Sequence, residues 1–103
     1  MGRYARPKQK RLGEKLKHIR EALGLSQNGI VLQLGLAEDY DRGMISLYEN
    51  NHREPPLFVL LNYSRLSGVC LDELVDDEVD LPKVLPVKRK GHHSHSPIRR
   101  PKD

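Results

Sequence analysis

The chain has 103 residues, 37% hydrophobic and 31% charged, with one phenylalanine, no tryptophan and a single cysteine: material for one small core without internal disulfides. No apolar run approaches the roughly 18 residues needed to cross a bilayer, which excludes a helical membrane span. The formal charge of +4 is unevenly divided, with five bases and no acid in residues 1–11, seven bases and one acid in 83–103, and six bases against thirteen acids between them.

The first segment, 1–11, is a basic arm holding Arg3, Arg6, Lys8, Lys10 and Arg11. It has no apolar stretch of the kind a signal peptide needs, and Arg6 stands where a myristoylation signal requires Ser or Thr, so a soluble cytoplasmic protein is expected. The bases at the two ends are open to two readings. They either neutralise the phosphates of a nucleic acid, or lie in solvent and fold back on the acids Asp72, Glu73, Asp76, Asp77, Glu78 and Asp80.

A folded domain is expected over 12–82. Leu12, Leu16, Ile19 and Leu23 recur at spacings of four, three and four, which lines one face of a first helix, and Gly24 is placed to end it in a left-handed cap. Ser26 caps a second helix to about Leu34, with Leu25 and Ile30 as a hydrophobic staple across its start. Gly35 turns the chain, and Asp41 caps a third helix to about Asn50, with Tyr40 and Ile45 as a second staple.

On that third helix Met44, Ile45 and Tyr48 fall inward, while Arg42, Gly43, Ser46, Leu47 and Asn50 fall outward. Asn51 can leave the helix through left-handed geometry, and Pro55-Pro56 prevents continuation. A fourth helix takes up Leu57, Leu60, Leu61 and Leu66 as its apolar residues and stops at Gly68. A short fifth carries Leu71, Leu74 and Val75 on one face, with Asp72 and Glu73 in its first turn. No strand pattern competes. From 83 to 103 Pro, Lys, Arg, His and Ser dominate, and such a tail buries too little surface to order itself, so a flexible basic terminus is expected.

Several motifs occur together in this order: Leu23-Gly24-Leu25-Ser26-Gln27, Leu34-Gly35-Leu36, Ile45-Ser46-Leu47-Tyr48-Glu49 and Arg53-Glu54-Pro55-Pro56. With them the chain resembles the Xre-type (Cro- and phage-repressor-like) helix-turn-helix family over about residues 12–76. The resemblance implies an all-α, five-helix lambda-repressor-like domain with flexible basic termini, whose third helix enters the major groove of double-stranded DNA. It implies that Gln27, with Asn28 beside it, meets phosphate or a base edge at the start of helix two, and that Arg42, Gly43, Ser46 and Leu47 face bases. Asn50 shares the outward face, and Asn51, His52 and Arg53 offer amides and charge to the phosphate backbone. Arg20 and Glu49 match a partly buried structural ion pair, and a homodimer on two half-sites is implied.

The residue chemistry suits such a role. Arg42 can donate two parallel hydrogen bonds to guanine O6 and N7, and Leu47 can touch a thymine methyl, although Arg42 could instead pair with Asp39 or Asp41 on the protein itself. Three positions depart from the family pattern: a turn before helix three longer by about four residues that carries Glu38, Asp39 and Asp41, Val31 in place of a small alanine, and Asn51 in place of glycine. The acids in that turn would oppose nearby phosphates.

Other constellations point away from chemistry. His92, His93 and His95 have metal-capable rings, but neither a cysteine nor a spaced carboxylate completes a defined site, so neither metal nor cofactor is expected. Cys70 with His18 or His52 lacks any oxyanion-stabilising group, and the resemblance implies that Cys70 stands where the family often has a serine helix cap. The acids from Asp72 to Asp80 lack the spacing of a calcium loop. The function expected is therefore a DNA-binding transcriptional regulator, a repressor, without enzymatic activity. The alternative from another class is a protein-docking helix-turn-helix module with a protein partner, such as the antitoxin of a toxin-antitoxin pair.

Overall fold

A computed structural model describes residues 9–87. Within them the chain forms five α-helices and no strand: α1 (Leu12–Ala22), α2 (Gln27–Gln33), α3 (Arg42–Glu49), α4 (Leu57–Ser67) and α5 (Leu71–Val75). No described helix is long and apolar enough to cross a membrane.

One backbone device ends the first three helices. Gly24, Gly35 and Asn51 adopt φ of 73°, 74° and 61°, which turns the next amide back onto the last turn. Leu25 N–H then donates to Arg20 O, Leu36 N–H to Val31 O and His52 N–H to Leu47 O, each closing a Schellman motif that satisfies otherwise orphaned carbonyls. Starts are capped as locally. Ser26 Oγ accepts from Gly29 N–H at 2.9 Å and Asp41 Oδ1 from Met44 N–H at 3.2 Å.

Helix α1 begins differently, because its cap residue is Arg11, which has no acceptor to offer. Its free amides are satisfied from a distance. The Asp77 carboxylate accepts from Lys10 N–H at 2.8 Å and Arg11 N–H at 3.0 Å, and Asn51 Oδ1 accepts from Gly13 N–H at 3.0 Å. The start of α1 is thus clamped between the exit of α3 and the exit of α5.

The core gathers Leu12, Leu16 and Ile19 of α1, Ile30 and Val31 of α2, Ile45 and Tyr48 of α3, Val59, Leu60 and Tyr63 of α4 and Leu74 of α5. Helix α1 packs against α3 and α5, α2 against α3, and α4 against α5. The apolar face expected for α4 needs correction. Its buried residues are Val59, Leu60, Tyr63 and Ser67, with Leu61 and Leu66 only half-buried and Leu57 72% exposed. Two positions along a helix turn the side chain by about 200°, so once Val59, Tyr63 and Ser67 face inward at four-residue spacing, Leu57 must face away.

Contacts to the core continue past Pro82. Leu81 and Leu85 pack against the core, and Pro86 lies so close over Gly68 that a Cβ there would collide with the Pro86 carbonyl. Arg3, Arg6, Lys8 and the histidines at 92, 93 and 95 lie outside the described residues.

Candidate nucleic-acid interface

The position of α3 is fixed by a polar node on its inner edge. Arg20 of α1 donates from Nε to Glu49 Oε2 at 2.7 Å and from Nη2 to Oε1 at 3.1 Å, while Nη1 reaches Leu25 O at 3.0 Å. Gln27 Nε2 adds a further bond to Glu49 Oε1 at 3.1 Å. Both charged side chains are largely covered, and a fork of parallel bonds is the arrangement in which burial of such a pair is tolerated. The hydrogen bond with Glu49 holds the Arg20 guanidinium above its ordinary value. One node therefore joins α1, the start of α2 and the end of α3. Gly13 tightens it, since any Cβ at that position would run into Glu49 O and Asn51 Oδ1.

The opposite edge of α3 is open. An exposed depression of about 520 Å³ lies between the starts of α2 and α3, bordered by Gln27, Asn28, Asp41, Arg42, Gly43 and Ser46. Arg42 and Asn28 are exposed and make no side-chain hydrogen bond or ion pair among the described residues, so Arg42 does not pair with Asp39 or Asp41. Leu47, one turn on from Gly43, is also exposed. The Asp41 carboxylate is already engaged in capping α3, and Gly43 leaves room for it, because a Cβ there would come within 3.2 Å of Asp41 Oδ1. The strip so formed offers a guanidinium fork, an amide, a hydroxyl and an apolar tip to a ligand.

Three residues expected to meet DNA are occupied elsewhere. Gln27 donates one of its two amide hydrogens to Glu49, which ties it to the node. Asn50 folds back along its own helix, Nδ2 donating to Ser46 O at 2.9 Å and to Ser46 Oγ at 3.4 Å. Asn51 uses both ends of its amide, accepting from Gly13 N–H and donating to Lys10 O at 3.2 Å. Arg53 stays exposed beside a small cleft that it shares with Gln9 and Asn51.

Arg11 is likewise not a free arm residue. Its guanidinium donates to Asp80 at 2.8 Å, to Asp77 O at 2.8 Å and to Glu14 at 3.4 Å, and the bond with Asp80 holds it above its ordinary value. Of the two readings of the basic ends, folding back on the acidic segment is the one that applies to this residue.

The turn between α2 and α3 spans residues 34–41, longer than the three- or four-residue turn of a compact helix-turn-helix. Glu38 and Asp39 are exposed there, while Tyr40 turns inward with its ring 6.4 Å from those of Tyr48 and Phe58. Burial, reinforced by a hydrogen bond with Tyr40, pushes the Tyr48 phenol up to about 12. Phe58 itself is 52% exposed.

Two features escaped the reading of the sequence. Lys15 is only 2% exposed, and its Nζ donates to Glu73 O at 2.7 Å, Asp76 O at 2.8 Å and Val79 O at 2.6 Å. Its place between Leu12, Leu16 and Ile19 on the apolar face of α1 was the available signal. Tyr63 is fully buried with its hydroxyl unpartnered among the described residues, and burial followed by the charge of Glu49 pushes that phenol upward. Nothing in the sequence distinguishes it from an ordinary core aromatic. Among the described residues, no three His, Cys, Asp or Glu side chains come together as a metal site. Comparisons with protein-family models, with curated proteins and with solved structures return no match for this chain.

Proposed function

We propose that this chain is a sequence-specific regulator of transcription, a repressor of the Xre-type, phage-repressor-like kind, that binds double-stranded DNA as a homodimer with α3 in the major groove. The observation that carries this reading is the strip of exposed Asn28, Arg42 and Leu47 around half-buried Ser46, with Arg42 and Asn28 unpaired among the described residues, beside a helix whose inner edge is locked by Arg20 and Glu49. A rigid helix with a free arginine fork near its start is what direct readout of guanine requires. Gly43 lets the helix approach bases closely, Leu47 suits a thymine methyl, and Arg53 supplies charge for a phosphate. Neither catalysis nor a cofactor enters this role.

Selection of bound sequences from a random duplex pool at physiological salt tests it, with an enriched inverted repeat as the expected product. Within that motif, Arg42→Ala is expected to relax preference at one base pair by about 1–3 kcal/mol, whereas Arg53→Ala weakens all duplexes alike and lowers the salt slope by about 1. Uniform weakening by Arg42→Ala counts against the reading.

A second reading, a protein-docking module such as an antitoxin, is favoured by one observation: the exposed acids Glu38 and Asp39 adjoin Tyr40, whose ring contacts the exposed Phe58. Recovery of one stoichiometric protein partner, together with no enriched duplex, would select it.

A further inference from the structure

The root of the basic arm carries a contact that competes with the proposed role of that arm. Arg11 reaches the acidic corner after α5 through two nitrogens, Nη2 on the Asp80 carboxylate and Nη1 on the Asp77 carbonyl, both at 2.8 Å. Two acceptor oxygens set side by side for an arginine fork are the arrangement a phosphate diester would present. The backbone reinforces it, because the Asp77 carboxylate holds the amides of Lys10 and Arg11. The arm root is fixed as well on its other side, where Asn51 at the exit of α3 holds Lys10 O. Lys10 is therefore held at the exit of α3 while Arg11 is turned to the protein's own acids.

Resting on the DNA-binding reading, we infer that Asp80 and Asp77 act as an intramolecular phosphate mimic, an autoinhibitory clamp that withholds Arg11 from a polyanion until that polyanion displaces it. The contact is well made for displacement. Its side chains are solvent-accessible, 34% for Arg11 and 84% for Asp80, so the pair is weak and screened by salt. Asp77, by contrast, secures the start of α1 through backbone amides and keeps the domain intact while Arg11 swings away. The clamp sets general affinity, not sequence preference, because phosphate contacts carry no base information.

The full chain is tested on two probes, immobilised heparin and a random-sequence duplex, with four variants. Asp80→Asn is expected to strengthen binding to both about two- to fivefold at low salt, the worth of one phosphate contact, and to steepen the salt slope by about 1. Glu78→Gln removes the same charge from an exposed side chain that does not touch Arg11, and is expected to give a smaller gain with no change of slope. In an Arg11→Ala background the Asp80→Asn gain should fall to that of Glu78→Gln, which a double-mutant cycle measures directly. A gain that Glu78→Gln reproduces, or that survives Arg11→Ala, overturns the clamp. Arg11-dependent gain on heparin with no duplex bound by any variant supports the clamp and removes the DNA reading; duplex binding without an Arg11-dependent gain does the reverse.

Discussion

Arg20 and Lys15 leave the same helix and both carry a positive charge into covered positions, but they meet different partners. The planar guanidinium of Arg20 finds a full negative charge in Glu49 and adds one carbonyl, whereas the ammonium of Lys15 meets no carboxylate among the described residues and satisfies its three N–H groups with the carbonyls of Glu73, Asp76 and Val79. Each choice follows from shape. A fork matches two carboxylate oxygens, and a compact point charge suits the converging carbonyls at the end of α5, where the helix dipole is negative. The consequences divide the molecule. Arg20 orients the half that holds the candidate interface, and Lys15 secures the acidic half to which the arm root is tied.

The sharpest way to break this contrast is to remove one partner from each site. Glu49→Ala strands the Arg20 guanidinium among covered groups and frees the Gln27 amide, and is expected to cost about 4 kcal/mol, a large share of what a small domain possesses. The urea midpoint measures it, and a loss below about 1 kcal/mol would show that the node is far wetter than its geometry implies. Lys15→Met keeps the apolar stem but leaves three carbonyls without their donor. Those carbonyls lie near the surface segment 76–80 and regain water, so the expected loss is smaller, about 2 kcal/mol. Equal losses at the two sites would erase the distinction.

Tyr63 sharpens the same comparison in the opposite direction. Its buried hydroxyl feels the charge of Glu49 more than that of Arg20 yet makes no hydrogen bond, so a polar group is desolvated without return. Tyr63→Phe is therefore expected to raise stability by about 1 kcal/mol, seen as a higher urea midpoint with an unchanged slope. Destabilisation would mean that the hydroxyl has a partner after all, and that the node extends into α4.

These sites differ too in how far residue patterns revealed them. The five helices were legible because each has a local signature: apolar spacing in α1, Ser26 and Asp41 as caps, Gly24, Gly35 and Asn51 as exits. The outward set of Arg42, Ser46 and Leu47 followed from helical period alone. The intramolecular bonds of Gln27, Asn50 and Asn51 were not legible, for one physical reason. Their amides are short and bifunctional, and whether such a group faces a ligand or closes a gap between α1 and α3 depends on tertiary distances that periodicity does not contain. Lys15 was hidden by the opposite habit, since a charged residue is ordinarily taken for solvated even on an apolar stripe. In α4 the number of leucines misled, and the narrower rule of four-residue spacing through Val59, Tyr63 and Ser67 decides the face.

Asp77 offers the smallest and most selective test of the acidic half. Its carboxylate lies below the ordinary range because the amides of Lys10 and then Arg11 donate to it, with the charges of Lys15 and Arg11 adding less. A carboxylate lowered on folding contributes stability that is fully present above its unfolded value, about 3.9, and that is lost as pH falls through the folded value. Wild type should therefore exceed Asp77→Asn in thermal midpoint at about pH 6, and the gap should close as acid is added below the unfolded value. Other carboxylates titrate in both proteins and cancel in the difference. Amide exchange at Gly13 localises the effect, because the same clamp orders the first turn of α1: protection there should fall in parallel with the gap, while that of Ile45 in α3, held through Arg20, should not follow it. A gap that widens on acidification would mean that Asp77 is raised rather than lowered by its surroundings, and that the start of α1 is held by Asn51 alone.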